Sequence, residues 1–133
     1  MLLPHGAIVV VVDGEKLELY RNVGNETAAE LSRMDAPKLE EHNKSSGARH
    51  ITSSANPGHL LGEDAHAAAV VGWLNQGAIK GEIKHLVVVA PPRTLGEMRR
   101  HYDKQLEAIL VAEAHKDLIG RSAPEILSAL QLK

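Results

Sequence analysis

The sequence predicts a single α/β domain in which a mixed β-sheet is flanked by helices, in the order β-β-β-loop-α-β-α-β-α. Three observations carry this. Ala7 to Val12 and Leu86 to Val89 are unbroken runs rich in Val, the pattern of strands buried on both faces. Segments of helical periodicity lie between and after these runs, so helices must cover the sheet. The 133 residues, 44% hydrophobic and 24% charged, suffice for one core, and that balance excludes disorder over the whole length.

Taking the elements in order, Ala7 to Val12 is the first strand, and Asp13-Gly14 predicts a two-residue hairpin turn with φ > 0 at both positions. Lys16 to Arg21 alternates, with Leu17 and Leu19 on one face, and reads as a half-exposed strand paired to the first. Asn22 to Asn25, with Gly24, supplies another turn. Ala29 to Asp35 is a third strand, with a short helix as the competing reading. From Pro37 to Gly62 the apolar residues thin out, which predicts a long exposed loop; loops of this length in a compact domain are uncommon and usually functional or disordered.

Glu63-Asp64 is expected to open a helix, because acids suit the positive end of its dipole. Ala67, Val70, Val71, Leu74 and Ala78 then form one apolar stripe, with Trp73 beside it. Ile83 to Ala90 is a buried strand stopped by Pro91-Pro92. Thr94 and Glu97 have the spacing of a capping box for a helix whose Leu95, Met98, Tyr102, Leu106 and Ile109 face the core. Leu110 to Leu118 is open between a strand and an extension of that helix. Ser122 and Glu125 repeat the capping box and start a helix running through Leu130.

Composition restricts function. Lys and Arg total 15 against 17 for Asp and Glu, a net charge of -2, which argues against a chain-wide nucleic-acid or membrane-surface binder and leaves room for a local basic patch. The absence of cysteine excludes disulfides, thiol catalysis and Cys-ligated metals. Tyr20, Trp73 and Tyr102 are the whole aromatic set, so the core must be aliphatic and a stacking platform for single-stranded bases is not expected. The N-terminal apolar run stops at Asp13, too short for a signal peptide with a cleavage site or for a bilayer span. The expected location is the cytoplasm, with no membrane partner.

Signatures of catalysis are weak. Of eight histidines, His42, His50 and His59 share the loop, with Asp64 and His66 just beyond, but none falls in an H-x-x-x-H or H-E-x-x-H pattern. Neither G-x-S-x-G nor a glycine-rich phosphate loop occurs. No metal, cofactor or catalytic residue is therefore expected. Basic residues offer more. Lys44 and Arg49 flank Gly47 in the loop, and Arg93, Thr94, Arg99, Arg100 and Lys104 surround the start and outer face of a helix. Arg93 ahead of free helix N–H groups suits a phosphate; a solvated helix face, with Glu97 and Asp103 interspersed, is the plainer alternative.

Four motifs carry a family resemblance: V-V-D-G-E-K-L at Val11 to Leu17, H-N-K-S-S-G-A-R-H at His42 to His50, S-S-A-N-P at Ser53 to Pro57, and A-P-P-R-T-L-G-E-M-R at Ala90 to Arg99. Together they resemble the bacterial host attachment protein family, over nearly the whole chain. That family is similar to the middle domain of eukaryotic and archaeal peptide-chain release factors. The resemblance implies a ribonuclease-H-like mixed sheet and a loop that, in release factors, carries a Gly-Gly-Gln tip into the ribosome to promote hydrolysis of the peptidyl-tRNA ester. Here Gly47-Ala48-Arg49 stands in that place. Ala48 resists positive φ, and Arg49, which only donates, lacks the acceptor of a Gln amide.

The expected function is thus a non-catalytic module associated with the ribosome or structured RNA, through His42, Lys44, Gly47, Arg49, His50 and the Arg93 to Lys104 face. A protein-interaction role in host attachment or stress, and a hydrolase acting on a tRNA-linked or phosphodiester substrate, are the alternatives.

Overall fold

The computed structural model describes residues 3–39 and 58–130, with side chains described from residue 62 onward in the second stretch. Among the described residues, five strands form one sheet: β1 (Ile8–Val12), β2 (Leu17–Asn22), β3 (Leu31–Met34), β4 (Leu86–Val89) and β5 (Leu110–Ala114). Four helices accompany them among the described residues: α1 (Gly58–Ile79), α2 (Pro92–Arg99), α3 (Lys104–Ile109) and α4 (Ala123–Ala129).

The strand order is β3-β2-β1-β4-β5. β1, β2 and β3 form an antiparallel meander, while β4 and β5 run parallel to β1. This is the expected mixed sheet. Parallel neighbours need a crossover, and α1 supplies it between β3 and β4, as α2 and α3 do between β4 and β5. Helices on both faces explain why β1 and β4 are apolar at every position: all of their residues are buried. Ile8, Val10 and Val12 pack with Val70, Val71 and Leu74 of α1 and Leu95, Met98 and Leu106 of α2 and α3. Ala7, Val9 and Val11 pack on the other face with Leu3, Leu118, Ile126 and Leu130. The apolar stripe read from α1 is buried at Ala67, Val70, Val71 and Leu74.

Six local expectations are corrected or resolved. The turn after β1 spans four residues, since Val12 pairs with Leu17, and none of the positive-φ glycines is Gly14. The Asp13 carboxylate instead accepts from the backbone N–H groups of Glu15 and Lys16, at 2.8 and 2.6 Å, closing an Asx turn that needs no left-handed residue. Helix α1 begins at Gly58, so residues 58–62, expected in the loop, are helical, and Glu63 and Asp64 fall beyond the first turn. The remainder of that loop, 40–57, lies outside the described residues, while 37–39 have no regular structure.

Thr94 does not cap α2. Its N-cap is Pro91 with Pro92 at N1, where a missing N–H costs nothing, and Thr94 sits buried inside the helix. The single helix expected through Ile109 is two, because Asp103 in extended conformation caps α3 by accepting from Leu106 N–H at 2.9 Å. Asn75 of α1 pins the break: its side-chain amide donates to the His101 carbonyl, and its amide oxygen accepts from Asp103 N–H. Leu110–Ala114 is strand, and Leu31–Met34 is strand rather than helix. The Ser122–Glu125 capping box is present in full.

Candidate functional site

The polarity of the strands fixes where the candidate residues meet. β1 and β4 run in the same direction, and their carboxyl ends lead into Asp13-Gly14 and into Pro91, Pro92 and Arg93. β3, antiparallel to β2, runs toward the same edge, so the chain reaches residue 39 there. Helix α1 begins at this edge as well. A Cβ on Gly14 would stand 2.8 Å from the Glu63 side chain, and the buried His66 ring nitrogen Nε2 lies 3.1 Å from the Lys16 carbonyl oxygen. Both described ends of segment 40–57 therefore lie at the carboxyl edge, where open α/β sheets typically hold their ligands. His42, Lys44, Gly47, Arg49 and His50 fall within that segment, outside the described residues.

Of the residues expected on the helical basic face, only Arg93 stands at this edge. It is more than half exposed and shared between two acids of α1: Nε is 3.7 Å from Glu63 Oε1, and Nη2 is 3.4 Å from Asp64 Oδ1. Thr94, beside it, is buried. Arg99 lies on the outer side of the sheet, where its Nη2 and Nε donate to Glu113 Oε1 of β5 at 2.6 and 3.0 Å. Arg100 pairs with Glu97 at 3.3 Å, and the His101 ring reaches the other oxygen of the same carboxylate at 3.1 Å. Lys104 is exposed at the first turn of α3. The five residues do not converge on one patch.

The arginines expected to face solvent freely are thus matched by carboxylates. Sequence reasoning missed Glu63, Asp64, Glu97 and Glu113 as those partners. The first two were visible as an acidic pair, but read as a helix start, with Asp64 also weighed as a metal ligand. Glu113 lay in the segment whose secondary structure was open. Its carboxylate also accepts from the Tyr102 hydroxyl at 2.8 Å, so the turn after α2 is tied to β5. Burial pushes the Glu113 carboxyl up, but the hydrogen bonds from Arg99 and Tyr102, together with the Arg99 charge, outweigh it and leave the group below its ordinary value. Burial, then the hydrogen bond to Glu113 and its charge, raise the Tyr102 phenol well above its ordinary value.

Two residues considered as metal ligands have structural partners here: Asp64 holds Arg93, and His66 contacts β2's entry through Lys16. Among the described residues no helix is long and apolar enough to cross a membrane. At this edge, then, are the carboxyl ends of β1, β3 and β4, the start of a long helix, both described ends of an 18-residue segment (40–57) and an arginine held loosely by two carboxylates. Weak, exposed pairs of this kind exchange partners readily, so a phosphate can compete for Arg93.

No curated protein matches the sequence. A family model does match it, over residues 6–130, and its description speaks of release factors and not of host attachment. The fold and the position of the long segment agree with that match: the chain belongs to bacterial archaeo-eukaryotic release factor family 12.

Proposed function

We propose that this domain is a translation-associated binding module that docks its carboxyl edge on ribosomal or other structured RNA, without catalysing peptide release. The family match over residues 6–130 carries the proposal. The arrangement of the edge supports it, because Lys44 and Arg49 belong to a segment whose described ends lie at the same edge of the sheet as Arg93. Arginine's planar fork suits phosphate, and Gly47-Ala48-Arg49 lacks both the second glycine and the amide that a release-factor tip uses to hold water. The host-attachment reading is not taken further, since the family's description names release factors alone.

Co-sedimentation with ribosomes at low salt tests the proposal. The natural protein should pellet with them. Arg49→Ala should weaken association whatever the RNA sequence and flatten its salt dependence by roughly one phosphate contact. Asp64→Asn should strengthen association, because it removes one of the two carboxylates that compete with phosphate for Arg93. Purified protein should release no peptide from programmed ribosomes. Failure to pellet at low salt, or association indifferent to salt and to Arg49→Ala, would overturn the RNA-docking reading.

A further inference from the structure

At the opposite end of the sheet, the amino edge of the parallel strands, a cavity of about 350 Å³ lies between the last turns of α1 and the β1–β2 face. Its floor is apolar: Ile8, Leu19, Trp73 and Ile83. Its rim carries Arg21, Lys80 and Glu82. A second cavity of about 260 Å³ adjoins it across Ile8, Arg21 and Glu82, and adds Lys84 and His85. The volume falls in the range of small-ligand pockets, and an apolar floor with a few polar groups at one side is their usual composition.

Arg21 is the telling residue. It shares the α1 side of β2 with Leu17 and Leu19, opposite Ile8, and is exposed near the end of the strand where that face opens to solvent. Every other described arginine has a carboxylate within ion-pair distance: Arg33 has Glu18, Arg93 has Glu63 and Asp64, Arg99 has Glu113, Arg100 has Glu97, and Arg121 has Glu125. Arg21 makes no ion pair or hydrogen bond among the described residues, although Glu82 lines the same cavity. A guanidinium beside an apolar groove, with no carboxylate in ion-pair reach among the described residues, is matched by a ligand that brings one.

We propose that this groove binds a small amphipathic carboxylate, its apolar body on Ile8, Leu19, Trp73 and Ile83 and its carboxylate held by Arg21 with Lys80. Arginine's fork accepts both carboxylate oxygens, and the apolar floor rejects a purely polar anion. The site is distinct from the RNA-docking edge and does not depend on it.

Trp73 is the chain's single tryptophan and lies in the floor, so its fluorescence reports occupancy directly. Octanoate should shift its emission saturably. Octanol, which lacks the carboxylate, and acetate, which lacks the apolar body, should each bind roughly tenfold more weakly or worse. Arg21→Gln should abolish the preference for octanoate over octanol, and Lys80→Gln should reduce it. If Arg21→Gln fails to fold by circular dichroism, Lys80→Gln carries the variant arm. Equal responses to octanoate and octanol in the natural protein would overturn the proposal. So would no response at all, or a preference that survives in folded variants at both positions.

Discussion

At the carboxyl ends of β1 and β4, Arg93 lies between Glu63 and Asp64; at their amino ends, Arg21 faces an apolar cavity without a carboxylate in ion-pair reach among the described residues. The two edges belong to the same parallel pair, and both carry a strand-end or helix-start arginine. They differ in what the fold sets opposite it. In a chain with more acids than bases, internal partners can occupy nearly every arginine, so a list of basic residues overstates the free positive surface. The arginine left over says more than the cluster.

The largest effect should come from the core that both edges share. Leu74 of α1 is fully buried against both strands' inner face. Leu74→Ala should cost about 2–5 kcal/mol in urea unfolding, and ribosome association and Trp73 response should fail together. Failure of one edge alone would mean that the edges are independently folded units.

A change confined to the amino edge sharpens the contrast. A Cβ on Gly77 would stand 2.6 Å from Ile83 Cδ1 and 2.9 Å from Cγ1, while the Gly77 carbonyl accepts from both Glu82 and Ile83 N–H and holds that turn in place. In Gly77→Ala, overpacking of about 1–3 kcal/mol outweighs a helix gain of about 1 kcal/mol or less. The melting temperature should fall and Trp73 emission should shift, with ribosome association in the folded protein unchanged.

The smallest effect concerns Glu113 and is seen in its pH dependence. Its folded-state pKa lies below the unfolded value, so its contribution is complete above the usual Glu value of about 4.3 and is lost as the pH falls through the folded value. The stability difference between the natural protein and Glu113→Gln, measured in urea, should therefore be present at neutral pH and shrink as the pH falls below the usual Glu value of about 4.3. Tyr102→Phe should raise the Glu113 pKa, read by nuclear magnetic resonance titration, because it removes a donor to the carboxylate. A difference that stays constant with pH would mean that Arg99 and Tyr102 do not hold that carboxylate.

Much of the fold was legible because it is written in local pattern. Val9 to Val12 admits no exposed face, and Ser122 with Glu125 fixes a helix start through atoms three residues apart. The misread points share a cause. Asp103 looked like an exposed helical residue, yet its side chain caps α3 while its backbone N–H donates to Asn75, 28 residues away. Asp13-Gly14 matched a turn type by dipeptide alone, whereas the carboxylate of Asp13 chose another.

The sequence by itself determined β1, β2 and β4, the helical character of α1, α2 and α4, and the aliphatic core, since periodicity and propensity act over a few residues and need no distant partner. It also determined which residues are charged. β3, β5 and the break between α2 and α3 were left open or misread. Only the tertiary structure decided which distant charges are spent on each other. Arg93 and Asp64 are 29 positions apart, and Arg99 and Glu113 are 14 apart across two elements. Their pairing follows from a crossover helix that starts at the carboxyl edge and from a strand that returns beside β4, which also leaves Arg21 without an ion-pair partner among the described residues at the far end. Coulombic pairing depends on distance through space, and no local pattern encodes that distance.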